Sequence, residues 1–521
     1  MGLYLGLDSS TQSLSAMIID TDAGRVVVDE SVNFGKALPH YASPSGFLEH
    51  EDPQLKHSNP LMWVEALDLL LGRLKARGTD FSAIKGISGA GQQHGSVYLS
   101  RSLADVPAWD ASRALAEQVA PLLSRSTSPI WMDSSTSAEC REIAEAVGGD
   151  ARVVSISGSR AIERFTGPQI RAFWKRDAQA YERTREIHLV SSFIASLLIN
   201  RSAPIDHGDG AGMNLLELAS GDWSSALVAA TAPGLAEKLP AAVPSRTEVG
   251  EIAEYFVQRY GFARGTRVIA FTGDNPSSLV GMGATEPGTA VVSMGTSDTV
   301  FAAMRSPHTD PRGFGHVFGN PAGGFMCLIC FANGSLAREK VAERAGLSWE
   351  AFERAILEET QPGNQGNLML PFFIPEMTPK LLAPKVELFG SEKFTSWQEP
   401  ATLARAIVEA QALSMQRHSD WIGERPRFIR VTGGASKNRG IRQVLADVFD
   451  ADIRALSVGN SSALGGALRA AEALSGQSFS SLYEVFAATD PQSNVSPRPG
   501  ASEQYAGLRQ KLTERLVALG A

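Results

Sequence analysis

Residues 3–13 of the chain read LYLGLDSSTQS, an apolar run that enters a turn of small polar residues, and a second apolar run follows. This pattern is typical of two strands joined by a short turn. It returns at residues 289–304, TAVVSMGTSDTVFAAM, where residues 295–298 form the turn. The recurrence predicts an internal duplication, with one copy in each of two domains.

The chain is too long for one hydrophobic core. It has 521 residues, whereas single cores stop growing at roughly 250 to 300 residues. Helical patterns separate the strands, as at residues 60–75, where apolar residues recur on one face after Pro60. Strands that alternate with helices indicate an α/β architecture. A glycine-bearing stretch near residue 265 precedes another apolar strand, which predicts two domains at residues 1–270 and 271–521.

Composition and charge favour small-molecule chemistry. A formal net charge of -8 without a long basic run disfavours a nucleic acid or an anionic membrane as partner. Three cysteines are too few for a disulfide-stapled secreted chain, and no apolar stretch approaches the roughly 20 residues of a membrane span. We expect a cytoplasmic protein. The sequence leaves the oligomeric state open, with a homodimer among the alternatives.

Two turns have the composition of phosphate-binding loops. The first contains Asp8 and Thr11, and the second contains Gly295, Thr296 and Ser297. Small hydroxyl residues and backbone amides can hold phosphate oxygens, and a carboxylate nearby can hold magnesium. Each turn taken alone also fits an ordinary hairpin, but the presence of two copies favours phosphate binding.

A third segment, residues 428–449, reads FIRVTGGASKNRGIRQVLADVF and predicts a strand, a glycine turn and a helix. Gly433 and Gly434 let the backbone approach a ligand closely, and the start of a helix attracts anions. A simple tight turn between two elements is the alternative. The sequence has no Walker A motif, which argues against a P-loop kinase.

Polar residues at the ends of strands supply candidates for catalysis. Asp274 follows an apolar strand in FTGDNP, residues 271–276, and is our candidate general base, although a lone Asp there is more often a turn or cap residue. His94 lies in the glycine-flanked loop GQQHG, and residues 131–133 and 160–164 add aromatic, carboxylate and guanidinium groups. These groups suit the recognition of hydroxyls, but a structural role is the default for each one alone.

Together these segments resemble the FGGY carbohydrate kinases over nearly the whole chain. The blocks SGAGQQHGS at residues 88–96, WMDSST at 131–136 and FTGDNP at 271–276 look particularly like the branch of that family that phosphorylates D-xylulose. The resemblance implies an α/β protein with two ribonuclease H-like (actin-like ATPase) domains and a catalytic cleft between them. It implies that domain 1–270 binds the sugar and that domain 271–521 binds the nucleotide.

The resemblance also implies ATP, Mg²⁺ and a role for each site residue. Asp274 is then the catalytic base, and Asp8 helps to place Mg²⁺. The implied sugar contacts are His94, Arg164, Asp274 and Asn275. The implied ATP contacts are Thr11, Gly295, Thr296, Ser297, Trp349, Gly434, Ala435 and Asn438. One departure is Ser15, where many relatives have Lys, so that either a phosphate-facing charge is missing or the position is only surface.

The reaction that the resemblance implies is the ATP-dependent phosphorylation of D-xylulose to D-xylulose 5-phosphate. The alternatives are a kinase for another small ketose or polyol, such as ribulose or glycerol, an actin-like ATPase indifferent to sugars, and a catalytically silent sugar sensor. An ATPase gives no reason for His94, Arg164 and Asp274 to occur together. The intact Asp274 and both phosphate turns argue against the sensor.

Overall fold

The computed structural model describes residues 2–456 and 459–520, which divide into two compact units. The first unit contains residues 2–285 and takes in two later segments, Val317–Phe325 and Gly459–Ala487. The second unit contains the intervening described residues and those from Ala488 onward. The first unit thus runs past residue 270, where the sequence predicted the boundary.

The first unit is built on a mixed sheet that has seven strands among the residues that the structure describes. The strands are β1 (Leu3–Ser9), β2 (Ser13–Asp20), β3 (Arg25–Asn33), β4 (Ile84–Gly91), β5 (Glu248–Glu251), β6 (Arg267–Ile269) and β7 (Thr272–Gly273). Their order is β5-β6-β4-β1-β2-β3, and β7 also pairs with β4. Strands β1 to β3 form an antiparallel meander, while β4 is parallel to β1 and β6 is parallel to β4.

A second mixed sheet has six strands within the described part of the chain. They are β8 (Thr289–Met294), β9 (Asp298–Met304), β10 (His316–Gly319), β11 (Phe325–Phe331), β12 (Phe428–Thr432) and β13 (Asp452–Ala455). The order is β10-β11-β9-β8-β12-β13. Strands β8 and β9 are antiparallel, and β12 and β13 continue parallel to β8. This repeats the arrangement of β2, β1, β4 and β6, so the predicted duplication is confirmed.

The helices used below are α1 (Pro60–Ala76), α2 (Thr166–Arg176), α3 (Val190–Ile199), α4 (Asp274–Gly281), α5 (Ser335–Ala345), α6 (Trp349–Arg354), α7 (Pro400–His418), α8 (Arg439–Phe449), α9 (Ser461–Ser475) and α10 (Ala506–Ala518). Further helices span Ser137–Val147, Asp150–Ser157, Ala178–Arg183, Ser225–Thr231, Glu254–Tyr260 and Phe479–Phe486. Short strand pairs join His57–Ser58 with Ser128–Pro129, Ser96–Leu99 with Glu186–Leu189, Ile205–Asp206 with Ala242–Val243, and Leu368–Phe372 with Lys385–Phe389.

Helix α1 confirms the helix predicted at residues 60–75. The side chain of Asn59 accepts a hydrogen bond from the backbone N–H of Leu61 at 3.0 Å, and Pro60 occupies the first helical position. Leu67 and Leu71 on the apolar face are fully buried. The sequence pattern alone therefore placed this helix and the face that enters the core.

Helix α9 packs so closely on the first unit's sheet and on α4 that only glycine fits at the contacts. A Cβ on Gly465 would lie 1.9 Å from the carbonyl oxygen of Ser277, and a Cβ on Gly6 would lie 1.9 Å from that of Ala463. The contacts hold α4, and with it Asp274, against the end of the sheet.

We expect Gly465→Ala to lower the free energy of unfolding by about 1 to 3 kcal/mol, the usual cost of overpacking. The matched control is Gly72→Ala in α1, where a Cβ would meet no atom of the described residues within 4 Å. Removing a helical glycine there is expected to raise stability by about 0.5 to 1 kcal/mol. Urea unfolding measures both changes, and changes of the same sign and size would contradict the close packing of α9.

The amphipathic sequence pattern of residues 503–519 predicts one helix, but in the structure the C-terminal helix is interrupted. A short helix, Ala501–Gln504, ends before Tyr505, and α10 follows. Tyr505 is fully buried and donates a hydrogen bond to Glu409 at 3.0 Å. Leu508, Leu512 and Leu516 are buried, so one face of α10 packs against the rest of the second unit. Within the described residues, we find no helix with the length and apolar character needed to cross a membrane.

Candidate active site

Asp274 is the first residue of α4 and comes directly after β7. Its Oδ1 accepts hydrogen bonds from the backbone N–H of Asn275 at 2.8 Å and from the Asn275 side-chain amide at 3.0 Å. Loss of hydration raises the pKa of Asp274 to about 6, although these hydrogen bonds act in the opposite direction. A carboxylate whose pKa lies this close to neutral is suited to accept a proton.

Asn275 connects Asp274 to the loop that follows β4. Its side-chain amide also donates a hydrogen bond to Oε1 of Gln93 at 2.9 Å. Gln93 precedes His94, so two segments far apart in the sequence meet at the ends of neighbouring strands β4 and β7. Strand ends of this kind are where ligands bind in open α/β sheets.

His94 adopts a left-handed backbone conformation with φ of 71°, which is strained for a residue other than glycine. Its Nδ1 donates a hydrogen bond to the carbonyl oxygen of Gly212 at 2.7 Å, which leaves a lone pair on Nε2. Burial, together with the charge of Arg164, lowers the pKa of His94 to about 3, although the hydrogen bond to Gly212 acts in the opposite direction. His94 is therefore a neutral side chain that can accept a hydrogen bond from a hydroxyl.

Arg164 lies close to this histidine. Its guanidinium stands 5.7 Å from the ring centroid of Phe165, and the Phe165 ring lies 4.5 Å from that of His94. The four residues implied as sugar contacts, His94, Arg164, Asp274 and Asn275, thus lie in one region of the first unit.

Asp8 ends the apolar part of β1 and stands opposite Ser15 of β2. It is 7% exposed, and its Oδ1 has no hydrogen-bond partner among the described residues. Burial and the charge of Asp274 raise the pKa of Asp8 to about 7. Ser15 is 5% exposed, so the idea that this position is only surface is wrong, and it brings no positive charge towards Asp8.

The oxygen atoms around Asp8 fit a magnesium ion that is held mainly by a nucleotide. Oγ of Ser9 is also buried and has no hydrogen-bond partner among the described residues. Mg²⁺ prefers oxygen ligands and usually takes one or two carboxylates together with water and phosphate oxygens. In the part of the chain that the structure describes, no cluster of three or more His, Cys, Asp or Glu side chains could hold a metal by itself. One carboxylate is therefore the contribution expected of the protein.

Two neighbours of the first turn have different roles. Nε1 of Trp131 donates a hydrogen bond to Oγ1 of Thr11 at 2.8 Å, and the indole is largely exposed beside the turn. Asp133 is fully buried and accepts hydrogen bonds from the backbone and hydroxyl of Ser135 and from the amide of Gln169. Asp133 therefore stabilises the loop, whereas Trp131 stays available to a ligand.

A cavity of about 610 Å³ opens in the second unit. This volume suits a nucleotide. The cavity is lined by Met294, Gly295, Thr296, Ser335, Leu336, Glu339, Trp349, Glu350, Glu353, Gly434, Ala435, Lys437, Asn438 and Ile441.

Six of the implied ATP contacts line this cavity: Gly295, Thr296, Trp349, Gly434, Ala435 and Asn438. Ser297 lies in the same turn as Thr296 but does not line the cavity. Thr11 belongs to the first unit. The structure therefore brings together three segments that are far apart in the sequence: the turn after β8, the start of α6 and the glycine turn before α8.

The glycine turn after β12 shapes one wall of the cavity. Gly433 has φ of +88°, and a Cβ there would lie 2.2 Å from the carbonyl oxygen of Met294, so only glycine fits. A Cβ on Gly434 would meet none of the described residues within 4 Å, which leaves room for a ligand beside it. Trp349 begins α6, is 44% exposed and contacts Phe352 with a centroid distance of 5.3 Å. Its indole is accessible for stacking.

The second phosphate turn is held by a buried ion pair. The two terminal nitrogens of Arg338 on α5 donate to the two carboxylate oxygens of Asp298 at 2.7 and 2.9 Å. Both side chains are almost completely buried. The backbone N–H of Ser335 also donates to the carbonyl oxygen of Gly295 at 2.9 Å. This geometry fixes the turn that borders the cavity.

Sequence reasoning missed several residues of these sites. Asp209 and Gly212 lie in HGDGAGM, residues 207–213, where three glycines around a carboxylate were a usable signal. Leu336 and Glu353 line the cavity of the second unit from α5 and α6. Nothing in their local sequence sets them apart from other helical residues, so only the fold reveals them.

Two family models match the chain. The N-terminal domain of the FGGY family of carbohydrate kinases matches residues 3–281, and its C-terminal domain matches residues 290–474. The chain belongs to the FGGY family of carbohydrate kinases. As an FGGY kinase it uses ATP.

Individual relatives agree with this family over almost the whole chain. The xylulose kinase of Rattus norvegicus is 44% identical over 520 residues, 98% of this chain and 96% of that protein. Xylulose kinase 2 of Arabidopsis thaliana is 41% identical over 90% of this chain and 87% of that protein.

Solved structures confirm the predicted fold class. The ligand-bound xylulose kinase of Lactobacillus acidophilus matches with a TM-score of 0.82 at 18% identity, covering 100% of this chain and 99% of that chain. The xylulose kinase of Rhodospirillum rubrum matches with a TM-score of 0.81 at 21% identity, covering 99% of both chains. This FGGY kinase therefore has the two-domain α/β fold of actin-like ATPases.

Proposed function

We propose that this chain transfers the γ-phosphoryl group of ATP to D-xylulose and forms D-xylulose 5-phosphate. The choice of sugar is supported by the curated relatives at 44% and 41% identity, which are xylulose kinases. The observation that carries the proposal is the link from Asp274 through Asn275 to Gln93, next to His94. A proton acceptor beside groups that bind hydroxyls can activate a hydroxyl of a bound sugar. An ATPase that acts without a sugar has no use for such a site.

Asp274 acts as the general base. It accepts the proton of the C5 hydroxyl as that oxygen bonds to the γ-phosphorus, and the bond from this phosphorus to the bridging oxygen of ADP breaks. The proton leaves Asp274 for solvent after ADP and the sugar phosphate depart. A pKa of about 6 keeps the carboxylate ionised and ready at neutral pH.

His94 and Arg164 orient the sugar. Because Nδ1 of His94 is committed to Gly212, Nε2 accepts a hydrogen bond from a sugar hydroxyl. The guanidinium of Arg164 donates to sugar oxygens and also keeps His94 neutral. Because the sugar is already oriented when it binds, less translational and rotational entropy has to be lost on the way to the transition state.

The residues of the second unit bind the nucleotide. The base stacks on Trp349, and the adenosine lies over Gly434 and Ala435. The phosphates contact the turn that contains Gly295 and Thr296. When bound, Mg²⁺ would be held by Asp8 and would neutralise charge that develops during phosphoryl transfer.

The cellular setting belongs to the same proposal. The low cysteine content supports a reducing, cytoplasmic location. The homodimer stays a prediction, which sedimentation velocity of the purified chain tests.

An ADP-release assay tests the choice of sugar. It uses Mg²⁺ and ATP with D-xylulose, D-ribulose, L-ribulose, L-xylulose and glycerol in parallel. We expect D-xylulose to give the dominant kcat/KM. If another member of the panel gives the dominant rate, that compound replaces D-xylulose as the proposed substrate. If ADP release is the same with and without each sugar, the proposed sugar kinase activity is wrong.

Trp349→Ala is expected to raise the KM for ATP by roughly tenfold and to leave the KM for the sugar unchanged. Stacking of a base on an aromatic ring contributes about 1 to 3 kcal/mol. Trp349→Phe keeps a stacking surface and should lose less. Steady-state kinetics with ATP varied at saturating sugar measure the effect. An unchanged KM for ATP in Trp349→Ala would remove Trp349 from the nucleotide site.

A further inference from the structure

Asp209 is a buried carboxylate with one oxygen unused. It lies in the short helix His207–Gly210 and is completely buried. Its Oδ2 accepts a hydrogen bond from the hydroxyl of Ser191 on α3 at 2.5 Å. Its Oδ1 has no hydrogen-bond partner among the residues that the structure describes. Buried carboxylate oxygens are nearly always paired, so this oxygen requires a ligand or a water molecule.

The surroundings of Asp209 connect it to Asp274. Gly208 approaches Thr272 so closely that a Cβ on this glycine would lie 2.4 Å from the threonine Oγ1. Thr272 stands two residues before Asp274, and its buried hydroxyl also lacks a partner within the described ranges. Burial raises the pKa of Asp209 well above its usual value, and the charges of Asp206 and Asp274 add to this effect.

The same segment also reaches His94. The carbonyl oxygen of Gly212 accepts the hydrogen bond from Nδ1 of His94. Nε2 of Gln93 would lie 3.5 Å from a Cβ on Gly212, and this amide nitrogen is buried without a partner in the described part of the chain. Residues 206–214 therefore border both the base and the hydroxyl-binding histidine.

The unused polar atoms in this region include acceptors and donors. Oδ1 of Asp209 accepts, Nε2 of Gln93 donates, and the hydroxyl of Thr272 does both. A polyol matches such a set because each of its hydroxyls can donate one hydrogen bond and accept others. An apolar ligand would leave all of these atoms unsatisfied.

We infer that Asp209 is a specificity-determining residue whose Oδ1 accepts a hydrogen bond from a hydroxyl of the bound sugar other than the one that is phosphorylated. This inference rests on the proposed function and deepens it. Ser191 is then a positioning residue, because its hydroxyl holds Oδ2 and thereby orients Oδ1.

The test replaces Asp209 by Asn, which keeps the shape and can still accept from Ser191 but presents an amide to the sugar. We expect the KM for the sugar to rise roughly tenfold to hundredfold, the cost of leaving a buried polar group without its hydrogen-bond partner. The KM for ATP should stay within twofold. Asp222→Asn, on an exposed residue of the following loop, makes the same charge change and should alter neither constant.

Monodeoxy analogues of D-xylulose identify the hydroxyl involved. Wild-type enzyme should lose activity with each analogue, whereas Asp209→Asn should be insensitive to the loss of one particular hydroxyl. Equal losses in both enzymes for every analogue would mean that Oδ1 meets only water, and a parallel rise in the KM for ATP would mean a structural role. Either result overturns the inference.

Direct binding separates this inference from the proposed function. Calorimetric titration of D-xylulose into Asp274→Asn needs no turnover. If the sugar binds and adding Asp209→Asn does not weaken the binding, the role of Asp209 is wrong while the kinase proposal stands. If no D-xylulose binds to either wild-type or Asp274→Asn protein, both are overturned.

Discussion

Asp274→Asn is expected to lower kcat by about 10² to 10⁴ while D-xylulose still binds, because general-base catalysis typically contributes that much to the rate. The amide keeps the shape of the side chain and can keep the hydrogen bonds from Asn275, but it cannot accept the hydroxyl proton. Rapid-quench kinetics with ATP and D-xylulose measure the loss. Asp29→Asn, an exposed residue of β3, provides the matched change of charge and should leave kcat unaltered.

The pH dependence supplies a second test of Asp274. The base must be ionised, and burial raises its pKa to about 6. The rate is therefore expected to be full above that pH and to fall tenfold per pH unit as the pH drops through 6. A kcat within tenfold of wild type in Asp274→Asn, or a wild-type rate unchanged down to pH 5, would remove Asp274 from the role of base.

Arg338→Met is expected to lower the free energy of unfolding by about 3 to 5 kcal/mol, since it leaves Asp298 buried without its cation. The pair is inaccessible, with 2% and 1% of the two side chains exposed. Because Asp298 holds the turn of Gly295 and Thr296, the variant should also raise the KM for ATP. Urea unfolding of the full chain and steady-state kinetics measure the two effects.

The ion pair has a matched control and a pH signature. Arg264 forms an exposed pair with Glu254, and Arg264→Met should cost at most about 1 kcal/mol. A protonated Asp298 is neutral and costs less to bury than the carboxylate. The loss of unfolding free energy in Arg338→Met should therefore become smaller as the pH falls. A loss of similar size in both variants, or one that grows at low pH, would contradict the assigned role of Arg338.

The repeated hairpins could be read from the sequence because apolar runs and polar turns are local patterns. The boundary between the two units is harder to predict from the sequence. Helix α9 lies far beyond the second hairpin in the chain but packs against β1 and α4 of the first unit. An amphipathic pattern indicates that a helix has a buried face but not which sheet it covers, although the small residues around Gly465 fit the close approach that the structure shows.

In the candidate site, too, some residues can be predicted from local sequence motifs and others only from the folded structure. Asp274 and His94 stood out because each lies in a short polar motif next to a strand. Asp298 and Arg338 are 40 residues apart, and no local pattern indicates that they pair. Asp209 was missed although three glycines surround it, because its role depends on Ser191 and on the neighbourhood of Thr272, which only the folded chain brings to it.

The most direct measurement is ³¹P nuclear magnetic resonance of a reaction that contains the protein, ATP, Mg²⁺ and D-xylulose. The account predicts that the γ-phosphate signal of ATP is replaced by a phosphomonoester signal that couples to the C5 protons of the sugar, in equal amount to the ADP formed. Inorganic phosphate in place of the sugar phosphate, with D-xylulose unchanged, would contradict it and leave an ATPase.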